Sequence, residues 1–216
     1  MLNVRTFQCN MLQENCYVVY DDTREAVVID CGAYYDSERK AIAAFVRDEG
    51  LQLRHVLATH GHLDHCFGND TLYAEFGLGP EVHAADAFLM VDLAHQAADF
   101  FGMNYTHPTP PIARFLSPGE EIAFGTHRLQ VVHTPGHTPG GCTFWCTAEQ
   151  MAFTGDTLFR MSIGRTDFEK GSWDDMLQSL QLLARLLPPQ TVVFPGHGPQ
   201  TVMSDEVAMN PYLRNT

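Results

Sequence analysis

Short β-branched and aromatic runs separated by polar turns open the chain. Residues 16–20 and 26–29 are two such runs, and Asp21-Asp22-Thr23-Arg24 between them predicts a hairpin. Apolar positions at Ala41, Ile42, Phe45 and Val46 then follow helical spacing, with Asp36 or Ser37 as the cap and Gly50 as the stop. Residues 55–58 predict a short buried strand, and residues 59–65 follow its C-terminal end. A helix over about 64–76 and a strand near 81–84 come next. Residues 85–102 place Phe88, Leu89, Val91, Leu93, Ala97, Phe100 and Phe101 on a helical rhythm, and Thr106-His107-Pro108-Thr109-Pro110-Pro111 reads as an ordered surface loop.

Strand patterns resume at 121–124, 128–132, 143–146 and 151–153. Ser172 predicts the cap of a strong helix, with Asp175 at its third position and Leu177, Leu180, Leu183, Ala184 and Leu187 on its apolar side. Pro188-Pro189 ends that helix, residues 191–194 read as the last strand, and Asn210-Pro211-Tyr212-Leu213-Arg214 closes the chain. No repeat and no divisive linker interrupts this order. Strand-rich stretches on both sides of a helical excursion at about 85–111 predict an α+β fold, two sheets packed together with helices outside, in one domain over 1–216.

Composition narrows the function classes. Across 216 residues, 26 acidic side chains outnumber 13 basic ones, for a formal charge of −13. Lys40 and Lys170 are the only lysines, so no basic groove for nucleic acid or an anionic membrane is expected. No apolar stretch approaches the ~20 residues that span a bilayer, and Met1-Leu2-Asn3-Val4-Arg5 lacks an export n-region, so a cytoplasmic location is expected. The cysteines Cys9, Cys16, Cys31, Cys66, Cys142 and Cys146 form no Cys-x-x-Cys pair and are read as free thiols packed as small hydrophobes. The residues assign no oligomeric state.

The chemistry lies in the histidines. Thr59-His60-Gly61-His62-Leu63-Asp64-His65 sets four potential metal ligands in six residues, more than a packed core tolerates, because each buried imidazole or carboxylate needs a polar partner. His60 and His62, two apart, can point the same way from an extended turn, while Asp64 and His65 can face a second metal. His137, Asp156 and His197 each follow a predicted strand in a Gly-containing turn. Imidazole and carboxylate donors without thiolate suit zinc, iron or manganese. His55, His83, His95, His107 and His127 lack ligand neighbours and are read as structural or exposed, and His133 as support for the turn that carries His137.

His60-x-His62-x-Asp64-His65, followed by His137, Asp156 and His197, resembles the metallo-β-lactamase superfamily over nearly the whole chain. Within it, Gly155-Asp156-Thr157-Leu158-Phe159, Gly164-Arg165, Pro195-Gly196-His197-Gly198-Pro199 and the Asn210-Pro211-Tyr212 segment are similar to the glyoxalase II group, the hydroxyacylglutathione hydrolases, in their compact bacterial branch. The resemblance implies an αββα sandwich of two mixed sheets flanked by helices. It implies that His60, His62 and His137 bind one metal, that Asp64, His65 and His197 bind another, and that Asp156 bridges them.

The cofactor implied is a pair of divalent ions, zinc first, with iron and manganese as alternatives. Such ions can share a hydroxide at neutral pH and polarise a carbonyl, which suits hydrolysis of a small anionic thioester. Asp64 is additionally expected to manage the proton of the attacking water. The resemblance makes Asp30 a brace for the histidine loop and Arg165 a contact for a substrate carboxylate, with Arg160, Lys170, Tyr105 and Phe101 as lesser candidates around the site. Longer glyoxalase II enzymes continue into glutathione-binding helices that are not expected here, and Asp167 stands near where they offer an aromatic hydroxyl. The alternative is a persulfide dioxygenase of the same superfamily, which has a similar Gly-Arg-Thr-Asp-Phe stretch (here 164–168) and a single iron that His60, His137 and Asp156 could hold.

Overall fold

The computed structural model describes residues 1–214. The first sheet runs in chain order through β1 (Asn3–Cys9), β2 (Glu14–Tyr20), β3 (Glu25–Ile29), β4 (Gln52–Leu57), β5 (Glu81–His83) and β6 (Arg114–Leu116). Its first three strands are antiparallel, and β3 to β6 are parallel. Parallel neighbours need crossovers, and α1 (Asp36–Asp48), α2 (Asn69–Phe76) and the excursion with α3 (Ala87–Met90) and α4 (Leu93–Phe101) supply them. The second sheet contains β7 (Glu121–Phe124), β8 (His127–His133), β9 (Cys142–Cys146) and β10 (Met151–Gly155). A small ribbon of β11 (Leu158–Phe159) and β12 (Ser162–Ile163) follows, then α5 (Trp173–Leu186), β13 (Val192–Pro195), β14 (Thr201–Val202) and α6 (Met203–Met209). The second sheet is ordered β14-β13-β10-β9-β8-β7, with β10 and β13 parallel and the other pairs antiparallel.

Both faces of the central strands are buried, which is why they read as continuous apolar runs. On β2 and β3, Tyr17, Val19, Val27 and Ile29 face the second sheet, where they meet Leu129, Val131, Phe144 and Phe153. The alternate residues Cys16, Val18, Ala26 and Val28 pack under Ile42 and Val46 of α1 and Leu72 of α2. On the far side, Trp145, Ala152 and Val193 meet Met176, Leu180 and Leu183 of α5. The layers are therefore helix, sheet, sheet, helix, the expected sandwich. Among the described residues, no helix is long and apolar enough to cross a membrane.

Several local expectations are corrected. Tyr35, rather than Asp36 or Ser37, is the N-cap of α1, because the Glu38 carboxylate folds back to accept from the Tyr34 and Tyr35 N–H groups at 2.9 and 3.1 Å. The helix expected over 64–76 is interrupted. Leu63–His65 is a single 3₁₀ turn, and α2 begins only at Asn69. The Asp64 carbonyl accepts from Asn10 Nδ2 at 2.8 Å, and the Gly68 N–H donates to the Cys31 carbonyl at 2.8 Å, so the α-helical bond between Gly68 and Asp64 is not made. The rhythm over 85–102 breaks into two helices at Asp92. There the Gln96 side chain donates to the Leu89 carbonyl at 2.8 Å and accepts from the Leu63 N–H at 3.0 Å, tying the excursion to the histidine loop.

The strand over 191–194 is not the last. Thr201–Val202 pairs beyond it, and the buried Glu206 of α6 accepts from Thr201 Oγ1 at 2.6 Å, Asn210 Nδ2 at 2.7 Å and the Met161 N–H at 2.9 Å.

Candidate metal centre

The seven donors lie beyond the C-terminal ends of β4, β8, β10 and β13, the edge at which both sheets release their loops. His60 and His62 follow β4, Asp64 and His65 form the 3₁₀ turn, and His137, Asp156 and His197 follow β8, β10 and β13. The folded chain gathers them into two neighbouring groups, His60 with His62 and His137, and Asp64 with His65 and His197. His62 Nδ1 lies 2.8 Å from His137 Nε2, and His65 Nε2 lies 3.2 Å from His197 Nε2. Asp156 stands between the groups, with Oδ2 at 3.4 Å from His137 Nε2 and Oδ1 at 3.4 Å from His65 Nε2.

Four of the five histidines are oriented through their other ring nitrogen. Nδ1 of His137 meets the Arg165 carbonyl at 2.7 Å, Nδ1 of His197 the Leu12 carbonyl at 3.2 Å, and Nδ1 of His65 the Asp30 carboxylate at 3.1 Å. His60 Nδ1 contacts Thr59 Oγ1 at 3.0 Å, and that hydroxyl donates to Asp30 Oδ2 at 2.7 Å. Each of these leaves Nε2 free to face the centre, as outer hydrogen bonds do around metal ligands. Asp30 also accepts from the Thr59 N–H at 2.7 Å, and it holds a left-handed φ of 52° to reach both. It therefore touches both ends of the histidine loop.

The electrostatics differ between the groups. Burial, reinforced by His137, pushes His62 down to about 3, and burial together with His65 drives His60 well below its ordinary value. These are neutral donors. Burial opposes charge on His65 as well, but the Asp156 and Asp64 carboxylates overcome it and raise this imidazole well above its ordinary value. Burial would raise Asp156, yet His65, followed by His137 and His60, holds it well below the carboxylate range. Two carboxylates, Asp64 of the second group and Asp156 between the groups, thus favour positive charge around His65.

Donor chemistry fits divalent ions. His60 Nε2 and Asp156 Oδ1 are fully buried without a hydrogen-bond partner, and buried polar atoms are rarely left so. Two imidazole nitrogens held at 2.8 Å likewise need a shared cation or proton between them. Space for anything bulkier is restricted from behind, since a Cβ on Gly196 would meet Asp156 Oδ1 and His65 Cε1.

The donors open into a cavity of about 400 Å³ lined also by Leu12, Phe100, Phe101, Phe159, Phe168 and Arg165. Phe168 lies 4.9 Å from the His62 ring and 5.2 Å from Phe100. Arg165 reaches this cavity, but its guanidinium donates to both carboxylate oxygens of Asp167 at 2.6 and 2.7 Å and lies 4.3 Å above the Phe168 ring. Those hydrogen bonds hold Asp167 at about 2. Phe101 lines the cavity as expected, whereas Tyr105 does not: it is buried, with its hydroxyl toward the Phe67 carbonyl at 3.4 Å. Lys170 stands over Phe88 at 3.5 Å, and Arg160 is exposed outside the cavity lining.

Of the other histidines, His55 pairs with Glu81 at 2.6 Å, His127 with Asp21 at 2.9 Å and Glu149 at 3.0 Å, and His133 with the Pro139 carbonyl at 2.9 Å.

Sequence reasoning missed several supports. Asp86 accepts from Gly61 N–H at 2.9 Å, Thr138 Oγ1 at 2.7 Å and Gly140 N–H at 2.6 Å, joining the histidine loop to the turn that carries His137. Asn15 Nδ2 and Tyr17 Oη donate to the Pro195 carbonyl at 3.1 and 2.6 Å and anchor the turn that carries His197. Glu14 is wholly buried behind His65 with neither carboxylate oxygen hydrogen-bonded, and burial pushes its carboxyl well up. Nothing in the sequence sets Glu14 apart, because its burial is visible only in the folded chain.

Comparison with known proteins places this geometry. The metallo-beta-lactamase superfamily profile matches residues 9–197. Hydroxyacylglutathione hydrolase GloC of Haemophilus influenzae is 32% identical over 217 residues, covering 99% of each chain. Among solved structures, BLEG-1 B3 metallo-beta-lactamase superposes with a TM-score of 0.88 at 32% identity over 99% of both chains. TTHA1623 in a di-iron-bound form superposes with a TM-score of 0.86 at 35% identity, covering 97% of this chain and 100% of that one.

Proposed function

The chain belongs to the metallo-beta-lactamase superfamily, and from that premise we propose that it is a two-metal hydrolase of acyl thioesters. The observation that carries this reading is the pair of complete donor groups, His60/His62/His137 and Asp64/His65/His197, with one Asp156 oxygen toward each. His60, His62 and His137 would hold one divalent ion, Asp64, His65 and His197 the other, and Asp156 both. When bound, the ions supply a nucleophile from water at neutral pH and a Lewis acid for the acyl carbonyl.

The chain's own groups do the rest. Phe100, Phe101 and Phe168 shield the reacting carbonyl from bulk water, and Asp30, Thr59 and the Arg165 carbonyl fix the imidazoles in place. As the water oxygen bonds to the acyl carbon and the carbon–sulfur bond breaks, Asp64 takes the proton released from the water and passes it to the departing thiolate, which leaves as thiol. The products are a carboxylic acid and a free thiol. The name of the Haemophilus relative makes a hydroxyacyl thioester of glutathione the first substrate to test, and the di-iron form of TTHA1623 supports a pair of ions, with zinc, iron and manganese each compatible with the donors. The six buried free cysteines fit a reducing, cytoplasmic setting.

The test is loss of thioester absorbance from S-D-lactoylglutathione and simpler lactoyl thioesters, with a chromogenic β-lactam and glutathione persulfide in parallel. Thioester turnover that a chelator removes and added metal restores is the outcome expected. Oxygen uptake on persulfide by protein with one iron, without thioester loss, would replace this reading with the dioxygenase.

A further inference from the structure

The walls of the cavity say more about the substrate than the donors do. Among its described lining residues Arg165 is the only arginine or lysine, and the Nε/Nη2 edge of that guanidinium is engaged in bidentate fashion by Asp167 while its face lies on Phe168. To take that edge, a substrate carboxylate would have to displace a carboxylate held two residues away on the same chain, at a high effective concentration. It would also meet the repulsion of the displaced Asp167. Lys170, the nearest alternative on this loop, stands over the Phe88 ring.

Apolar surface dominates instead. Phe100 and Phe168 pack edge to face at 5.2 Å above His62, and Phe100 remains 49% exposed at the mouth. Leu12, also 48% exposed, and Phe159 stand at the opposite end beside His197. Exposed aromatic and aliphatic side chains around a concave site mark where a ligand's apolar surface is buried.

We infer that this site recognises its thioester through an uncharged, apolar group, aromatic or branched-alkyl in size, seated against Phe100 and Phe168, and that the charged arms of glutathione are not its handle. This rests on the thioesterase reading above. Asp167 is thereby a specificity residue: by pairing with the Nε/Nη2 edge of Arg165 it offsets the charge of the one side-chain cation in the lining that could reward an anionic substrate.

The experiment compares D-lactoyl thioesters of benzyl mercaptan, methanethiol and glutathione on the metal-loaded protein. In parallel, calorimetry measures binding of the acetonyl thioethers of benzyl mercaptan and glutathione, which cannot be hydrolysed. A buried phenyl group should raise kcat/KM for the benzyl thioester about tenfold or more over the glutathione thioester, and the benzyl thioether should bind tighter by a similar factor. Phe168→Ala should remove most of that advantage through KM. Asp167→Asn should raise the ratio of glutathione to benzyl turnover several-fold by freeing the guanidinium.

Tighter binding of the glutathione thioether, or a kcat/KM for the glutathione thioester equal to or above the benzyl one, would overturn the inference while leaving the thioesterase intact. Preferential binding of the benzyl thioether with no turnover of any thioester would overturn the thioesterase reading and keep the apolar handle.

Discussion

Four imidazoles of the two groups are aimed by the nitrogen that faces away from the centre, so residues that never touch substrate govern how the ligands stand. Asp30 is the best placed, since it holds Thr59 and through it His60, and also His65. Asp30→Asn is expected to weaken metal binding roughly 10- to 100-fold with the fold retained, measured by chelator competition and circular dichroism. Replacing His60 and His62 together by alanine is expected to abolish thioester turnover and lower bound metal while the circular dichroism spectrum stays native. Retained turnover in that variant would sink the metal-dependent mechanism. At this scale the donors were legible because four of them crowd one short segment, and Asp30 because it ends an apolar run. Asp86, Asn10 and Gln96 were not, since each acts through hydrogen bonds to backbone groups far along the chain and leaves no spacing to read.

Elements with long apolar faces and clear punctuation were readable in advance. The Ser172 cap is one: its hydroxyl accepts from the Asp175 N–H at 3.2 Å at the start of α5. Ser172→Ala is expected to cost about 1 kcal/mol in chemical denaturation. Elements shaped by tertiary hydrogen bonds were not readable, as the 3₁₀ turn at Leu63–His65 and the break at Asp92 show, and strands as short as Leu158–Phe159 or Thr201–Val202 carry no period.

The polar turn after β2 proved to be more than a turn. Asp21 accepts from Thr23 N–H at 2.9 Å, Thr126 N–H at 2.7 Å and His127 Nδ1 at 2.9 Å, pinning the β2–β3 turn to the β7–β8 turn of the other sheet. Burial alone would raise this carboxyl, but those hydrogen bonds overcome it and hold it well below the ordinary range. With the folded value depressed, its contribution is complete above the unfolded value of about 4 and is lost as pH falls toward the folded one. Denaturation between pH 6 and 2 should therefore show a steeper acid loss in the parent than in Asp21→Asn, which should itself be about 2 kcal/mol less stable at neutral pH.

For the whole molecule, two mixed sheets face each other, and the edge where β4, β8, β10 and β13 end collects every donor in one place. That layering was legible from strand-rich halves around a helical excursion, and the two groups of candidate donors that the fold brings together were named from the family resemblance. The character of the mouth was not. Arg165 reads as a free cation in the sequence, and only the fold shows Asp167 turned back onto it and Phe168 beneath it. The net charge of −13 also makes the cluster of imidazoles exceptional on this chain, and positive ions there would reverse the local sign.

The most direct test of the two-ion hydrolase is a titration of metal-stripped protein with zinc, iron or manganese, following hydrolysis of a lactoyl thioester against ions bound per chain. Turnover that rises to a plateau at two equivalents is the result this account predicts. A plateau at one equivalent, or two bound ions with no cleavage of any thioester, would contradict it.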